Sequence, residues 1–142
     1  MADPSTLLNL PGMAEALLRT EEGLRRAIDS DESLMTDMSQ HLINAGGKRI
    51  RPGLAIASAQ ALANYPGAPS DDVIRGGVAV ELVHQGSLYH DDVMDGAKTR
   101  RNVESVNARW GNREAILAGD YLLARASEIA ADLSTEVARL LA

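Results

Sequence analysis

Three carboxylates close one apolar stretch of this 142-residue chain, in the run His90-Asp91-Asp92-Val93-Met94-Asp95. Asp91 and Asp95 are four residues apart, so on a helix they share one face. Like charges at that spacing destabilise a helix by roughly a few tenths of a kcal/mol. At a C-terminal helix end they also oppose the helix dipole. Magnesium would remove both costs, because it takes oxygen ligands, commonly one or two carboxylates completed by phosphates and water. Lys98-Thr99-Arg100-Arg101 follow at once. These cations either neutralise the acids or bracket a diphosphate from the far side, since a guanidinium fork matches phosphate oxygens. A second cationic run, Gly46-Gly47-Lys48-Arg49-Ile50-Arg51-Pro52, stands upstream. Backbone N–H groups at a helix start, together with Lys48 and Arg51, favour a phosphate there. A helix cap followed by solvated basic residues would read the same. His84 lies seven residues before Asp91, about two turns, and so nearly on its face. A core histidine is the competing reading.

These groups need helices to carry them. Apolar spacing after Pro11 (Ala14, Leu17, Leu18, Leu24, Ile28) predicts a first helix. Asp31 and Glu32 open a second, with the stripe Leu34, Met35, Met38 and Leu42, ended by Gly46-Gly47. A third starts near Pro52, runs through Leu54, Ile56, Ala57 and Ala61, and stops at Tyr65-Pro66-Gly67. Ser70 with Asp71 and Asp72 reads as an N-cap and acidic first turn. The helix they begin, expected to reach about Tyr89, is apolar on most sides and therefore central. Glu81, His84 and Gln85 are its polar exceptions. Residues 96 to 112 read as a loop with a short helix over Val106 to Trp110, Ala115 to Ala130 as another long helix, and a last segment begins near Ser134. Strand signals are weak, and one all-α unit is expected.

Composition narrows the function. Lys plus Arg is 14 against 20 Asp plus Glu, a net charge of −6, which disfavours non-specific binding to nucleic acid. The absence of cysteine excludes a disulfide scaffold, a Cys-ligated zinc site and a thiol nucleophile. No 18-residue uncharged apolar run or signal peptide is legible, so no transmembrane segment and a cytoplasmic location are expected.

Order and spacing together are specific where each motif alone is modest. The sequence resembles the trans-type polyprenyl diphosphate synthases in GGKRIRP (46–52), VELVHQGSLYHDDVMD (80–95), KTRR (98–101) and RWGNREAILAGDYLLARA (109–126). The resemblance implies an all-α helical bundle of the isoprenoid synthase type. It implies a prenyltransferase that condenses isopentenyl diphosphate with an allylic diphosphate, with magnesium (Mg2+) as cofactor. Asp91 and Asp95 would ligate the metal, with Asp92 supporting. Lys48, Arg51, His84 and Arg101 would hold isopentenyl diphosphate, and Arg100 the allylic diphosphate. Arg49 has no assigned contact, and Asn102 replaces the glycine common after the arginine pair. Asp120, in Gly119-Asp120, reads as structural and paired with a nearby arginine. Gly86 and Ser87, five and four positions before Asp91, would govern product length. Both are small, which favours a long-chain product, and a phenylalanine at Gly86 would shorten it. The competing explanation is that small residues there let helices pack closely.

Family members carry a second aspartate-rich element, and the sequence has none. Residues 1–142 are therefore expected to form a partial domain, the N-terminal half of a larger bundle, inactive or nearly so alone. A non-catalytic small subunit of a two-component synthase is the alternative. A helical interaction module and a class I terpene cyclase fit the motifs less well. Family resemblance suggests a homodimer for the full-length form, or a larger synthase subunit as partner.

Overall fold

The computed structural model describes residues 10–63 and 68–142. Among them, helices α1 (Met13–Ala27), α2 (Ser33–Asn44) and α3 (Ile50–Ala63) precede a 25-residue helix α4 (Asp71–Asp95). A two-stranded hairpin follows, β1 (Thr99–Arg100) and β2 (Val103–Glu104), then α5 (Val106–Trp110), α6 (Asn112–Leu133) and α7 (Thr135–Leu141). The expected stop at Tyr65-Pro66-Gly67 lies outside the described residues.

Helix α4 is the axis of the molecule, with α6, α3, α1 and α5 packed around it. Its first turn forms as its sequence dictates. Ser70 is extended, and its hydroxyl accepts from the Val73 N–H at 3.4 Å, with Asp71 and Asp72 at the positive end of the dipole. Ile74, Val78, Leu82 and Tyr89 are buried along it, in line with a helix apolar on most sides. The helix outruns the expected end at Tyr89 and continues to Asp95, closing where Gly96 takes φ 61. That left-handed cap suits glycine, which has no Cβ to clash. The six extra residues carry all three carboxylates on regular helix.

The main core joins Leu24, Ile28, Leu42, Ile43, Leu82 and Leu122 around Tyr89, which is fully buried. The Tyr89 hydroxyl donates to the Met38 carbonyl at 2.6 Å, which satisfies the polar end of an otherwise apolar side chain. A smaller cluster of Met13, Ala16, Leu17, Ile56 and Ile74 ties α1 to α3 and α4. Three residues placed on apolar stripes by spacing point outward instead: Leu18, Leu34 and Leu54 are 66%, 44% and 52% exposed. A single stripe is narrower than the apolar content of these helices.

The sequence shows no hairpin between residues 96 and 112, yet one forms. Thr99 pairs with Glu104 and Arg100 with Val103, leaving Arg101 and Asn102 as a two-residue turn. Both have positive φ, 52 and 65, as a type I′ turn requires. Asparagine tolerates this region better than other non-glycine residues, so it can stand in for the family's glycine. Asn102→Gly should therefore stabilise the chain by about 0.5 kcal/mol in urea unfolding, by relieving residual backbone strain.

Candidate active site

Two arginines leave the hairpin in different directions. Arg101, in the turn, donates to the carbonyls of Leu42, at 3.0 Å, and Gly46. The Leu42 carbonyl lies in the last turn of α2 and Gly46 just beyond its end, where unpaired acceptors and the negative dipole end favour a cation. Arg101 thereby reaches a cavity of about 430 Å³ lined also by Lys48, Arg51, His84 and Glu81. Four residues expected from sequence to hold one diphosphate, Lys48, Arg51, His84 and Arg101, thus meet around one space.

The cations of this region differ in what they already hold. Arg49 is buried, and its guanidinium is engaged by Glu21 and Glu81. Lys48 and Arg51 are exposed and have no ion-pair partner among the described residues. An anion entering the cavity would therefore meet unneutralised charge on Lys48, Arg51 and Arg101. His84 is half-buried. Its burial, then the Arg51 guanidinium, lower its pKa from the usual imidazole value, while Glu81 opposes them. A diphosphate beside His84 would reverse part of that shift by favouring the imidazolium.

Arg100, in strand β1, turns to the end of α4. Its Nε and Nη2 donate to Asp92 Oδ1 at 2.8 and 2.6 Å. Asp92 is 1% exposed. The three carboxylates are therefore not equivalent. Asp92 points inward and holds Arg100. Asp91, half-buried, and Asp95, exposed, have no hydrogen-bond or ion-pair partner among the described residues. Asp92 thus fixes the direction of the Arg100 guanidinium, whereas Asp91 and Asp95 hold no neighbouring side chain among the described residues. No group of three or more His, Asp or Glu that could hold a metal occurs among the described residues. Asp91 and Asp95 are two carboxylates, so a hard cation held there would need further oxygen ligands beyond these two side chains.

The two residues expected to govern product length separate. Ser87 is exposed, its hydroxyl donating to the His84 carbonyl at 2.8 Å. Gly86 is buried where α4 crosses α6. A Cβ on Gly86 would lie 2.9 Å from the Gly119 carbonyl oxygen and 3.2 Å from Leu123 Cγ. Close helix packing explains this glycine, so a phenylalanine there must first push the two helices apart. Asp120 also departs from expectation. Its partner is a histidine, His90 Nε2, at 3.3 Å, and not an arginine.

Two features escaped the sequence. The hairpin turn has no Asn-Gly or Asp-Gly signal. The Arg49 junction has its visible half in Glu81 and Gln85, the polar exceptions of α4. Its other half, Glu21, looks like any surface acid of α1.

The polyprenyl synthetase family model matches residues 32–142. The chain belongs to the polyprenyl synthetase family. This family member is 48% identical over 128 residues to a nonaprenyl diphosphate synthase of Mycobacterium tuberculosis, covering 90% of the chain and 36% of that relative. It is 40% identical over 121 residues to heptaprenyl diphosphate synthase component 2 of Geobacillus stearothermophilus, covering 85% and 37%. Among solved structures it resembles a polyprenyl synthase from Caulobacter crescentus complexed with calcium and isoprenyl diphosphate, with TM-score 0.77, 34% identity, and 84% and 35% of the two chains covered. The chain spans little more than a third of the length of these relatives. No helix of the described residues is long and apolar enough to cross a membrane.

Proposed function

We propose that this chain carries the substrate-holding part of a polyprenyl diphosphate synthase. In that reaction the allylic C–O bond breaks, pyrophosphate leaves with the electron pair, and the double bond of isopentenyl diphosphate attacks the allylic carbon. Loss of a proton then yields an all-trans polyprenyl diphosphate longer by one isoprene unit. One observation carries the reading: a single hairpin sends Arg101 to an unneutralised cationic cavity and Arg100 to the end of a helix bearing two unpaired carboxylates. Two anionic substrates need two such stations side by side.

Lys48, Arg51, His84 and Arg101 hold the diphosphate of isopentenyl diphosphate in this reading. Arg100, steadied by Asp92, meets the allylic diphosphate. Asp91 and Asp95 would hold magnesium, and the donor set fits: two hard oxygen ligands on one helix face, with neighbouring sites left for phosphate oxygens. The likeness to a synthase solved with calcium supports a divalent cation. When bound, the metal would supply charge neutralisation for the leaving pyrophosphate. Ser87, exposed one turn before Asp91, leaves room for a long product tail. The cytoplasmic setting expected from the sequence belongs to the same proposal.

The domain is read as the first part of a larger bundle, the second aspartate-rich element belonging to the portion of the relatives that this chain does not match. The chain alone should then bind without sustained turnover. A split enzyme of unlike chains is the second reading, favoured by the likeness to a synthase component 2. Co-purification with a partner synthase chain would favour it.

Calorimetry with isopentenyl diphosphate tests the cavity. Lys48→Met and Arg51→Met should each weaken binding about tenfold or more, the scale of one lost charge-assisted hydrogen bond. Binding should take up a proton at His84, read as a dependence of the heat on buffer ionisation enthalpy and abolished in His84→Gln. Affinities unchanged in both cationic variants would remove the cavity from the proposal.

A further inference from the structure

Arg49 lies in the cationic run but spends its charge inward. It is 5% exposed, and its backbone φ of 46 lies in the left-handed region, which non-glycine residues occupy only when their surroundings hold them there. Its Nε donates to Glu21 Oε1, its Nη2 to Glu21 Oε2 and the Ile43 carbonyl, both at 3.2 Å, and its Nη1 to Glu81 Oε1 at 3.0 Å. Four of the five guanidinium N–H groups are thereby used. Glu81 is held in turn by Gln85, whose Nε2 donates to the same oxygen at 2.6 Å. One side chain thus locks α1, the end of α2 and α4 to the loop that enters α3. Gly47 fits into the same knot: a Cβ there would lie 2.8 Å from Arg49 Nη1 and 3.1 Å from Arg101 Nη1.

We propose that this junction of Arg49 with Glu21 and Glu81 aims Lys48 and Arg51 into the cavity, making Arg49 a positioning residue for diphosphate binding and Glu21 its remote anchor. The inference rests on the cavity being the diphosphate site. Lys48 and Arg51 flank the left-handed residue on either side, where loop becomes helix. Both are exposed, and neither has a partner of its own among the described residues to fix its direction. Their direction is therefore inherited from the backbone between them. That backbone is strained and is held by the Arg49 side chain.

The test turns on a sign. Glu21→Gln removes a negative charge near an anion site, so electrostatics alone predicts tighter binding. Loosening the junction predicts weaker binding. Arg49→Lys keeps the charge but cannot bond bidentately, so a pure charge effect predicts no change. We expect both variants to weaken binding of inorganic pyrophosphate by about fivefold, measured by calorimetry on the full chain, with helical circular dichroism unchanged. Tighter or unchanged binding in Glu21→Gln overturns the inference. Should that variant lose its helical signal, Arg49→Lys decides, and unchanged affinity there overturns it equally. Failure of the unsubstituted chain to bind pyrophosphate sinks the cavity reading and this inference with it. Binding weakened by Lys48→Met but not by Glu21→Gln sinks this inference alone.

Discussion

Asparagine at both Asp91 and Asp95 should abolish metal-dependent binding of an allylic diphosphate while leaving the chain more stable. The two carboxylates occupy one face in the last turn of α4, at the negative end of its dipole, and neither is paired among the described residues. Replacing the outer partners of metal ligands commonly costs about 10- to 100-fold, so losing both ligands should cost at least about 100-fold. The folded chain moves the other way. Removing like charges four residues apart, and removing acids from a helix C-terminus, should add about 0.5–1 kcal/mol. That opposition would mark residues kept for binding at a cost in stability. Titration of the allylic diphosphate with and without magnesium reads the first effect, and urea unfolding the second. A variant that binds normally in magnesium would remove Asp91 and Asp95 as ligands. A variant that binds poorly and is also destabilised would make them structural.

The positions of these residues were legible because helical spacing is a strong rule. Asp91, Asp95 and His84 are related by multiples of a turn, and regular helix through Asp95 makes that relation real. The end of α4 at Tyr89 was misplaced because the acidic run after it looks like a helix stop, whereas the stop is made by the left-handed Gly96. The convergence of Lys48, Arg51, His84 and Arg101 came from family resemblance alone. Periodicity says nothing about which loop meets which helix. The hairpin was invisible because its turn residues, Arg101 and Asn102, include no glycine, and its strands are two residues each. The different duties of Gly86 and Ser87 could not be read either. Adjacent residues on a helix point about 100° apart, and only the position of α6 decides which of them is packed. For the same reason the supporting role expected of Asp92 acquires a partner only when the hairpin places Arg100 beside it.

Arg100→Met should destabilise the chain by about 3 kcal/mol. Asp92 is 1% exposed, and Arg100 is its charged partner. Both donated bonds go to Oδ1, and Oδ2 has no partner among the described residues. Removing Arg100 leaves a buried carboxylate uncompensated, which typically costs about 3–5 kcal/mol. The lower end applies because the Arg100 side chain is 29% exposed and water can partly replace it. Arg101→Met should cost about 1 kcal/mol, since it removes hydrogen bonds to helix-end carbonyls and leaves no charge buried. The decisive comparison is the double variant Asp92→Asn with Arg100→Met. If the penalty comes from the orphaned charge, the double variant should recover about 1–2 kcal/mol relative to Arg100→Met alone in urea unfolding. It should nevertheless bind allylic diphosphate no better than Arg100→Met, because the cation proposed to meet the substrate is still gone. Additive losses in the double variant would show that Asp92 and Arg100 are not energetically coupled. Recovered binding would show that Arg100 does not contact the substrate.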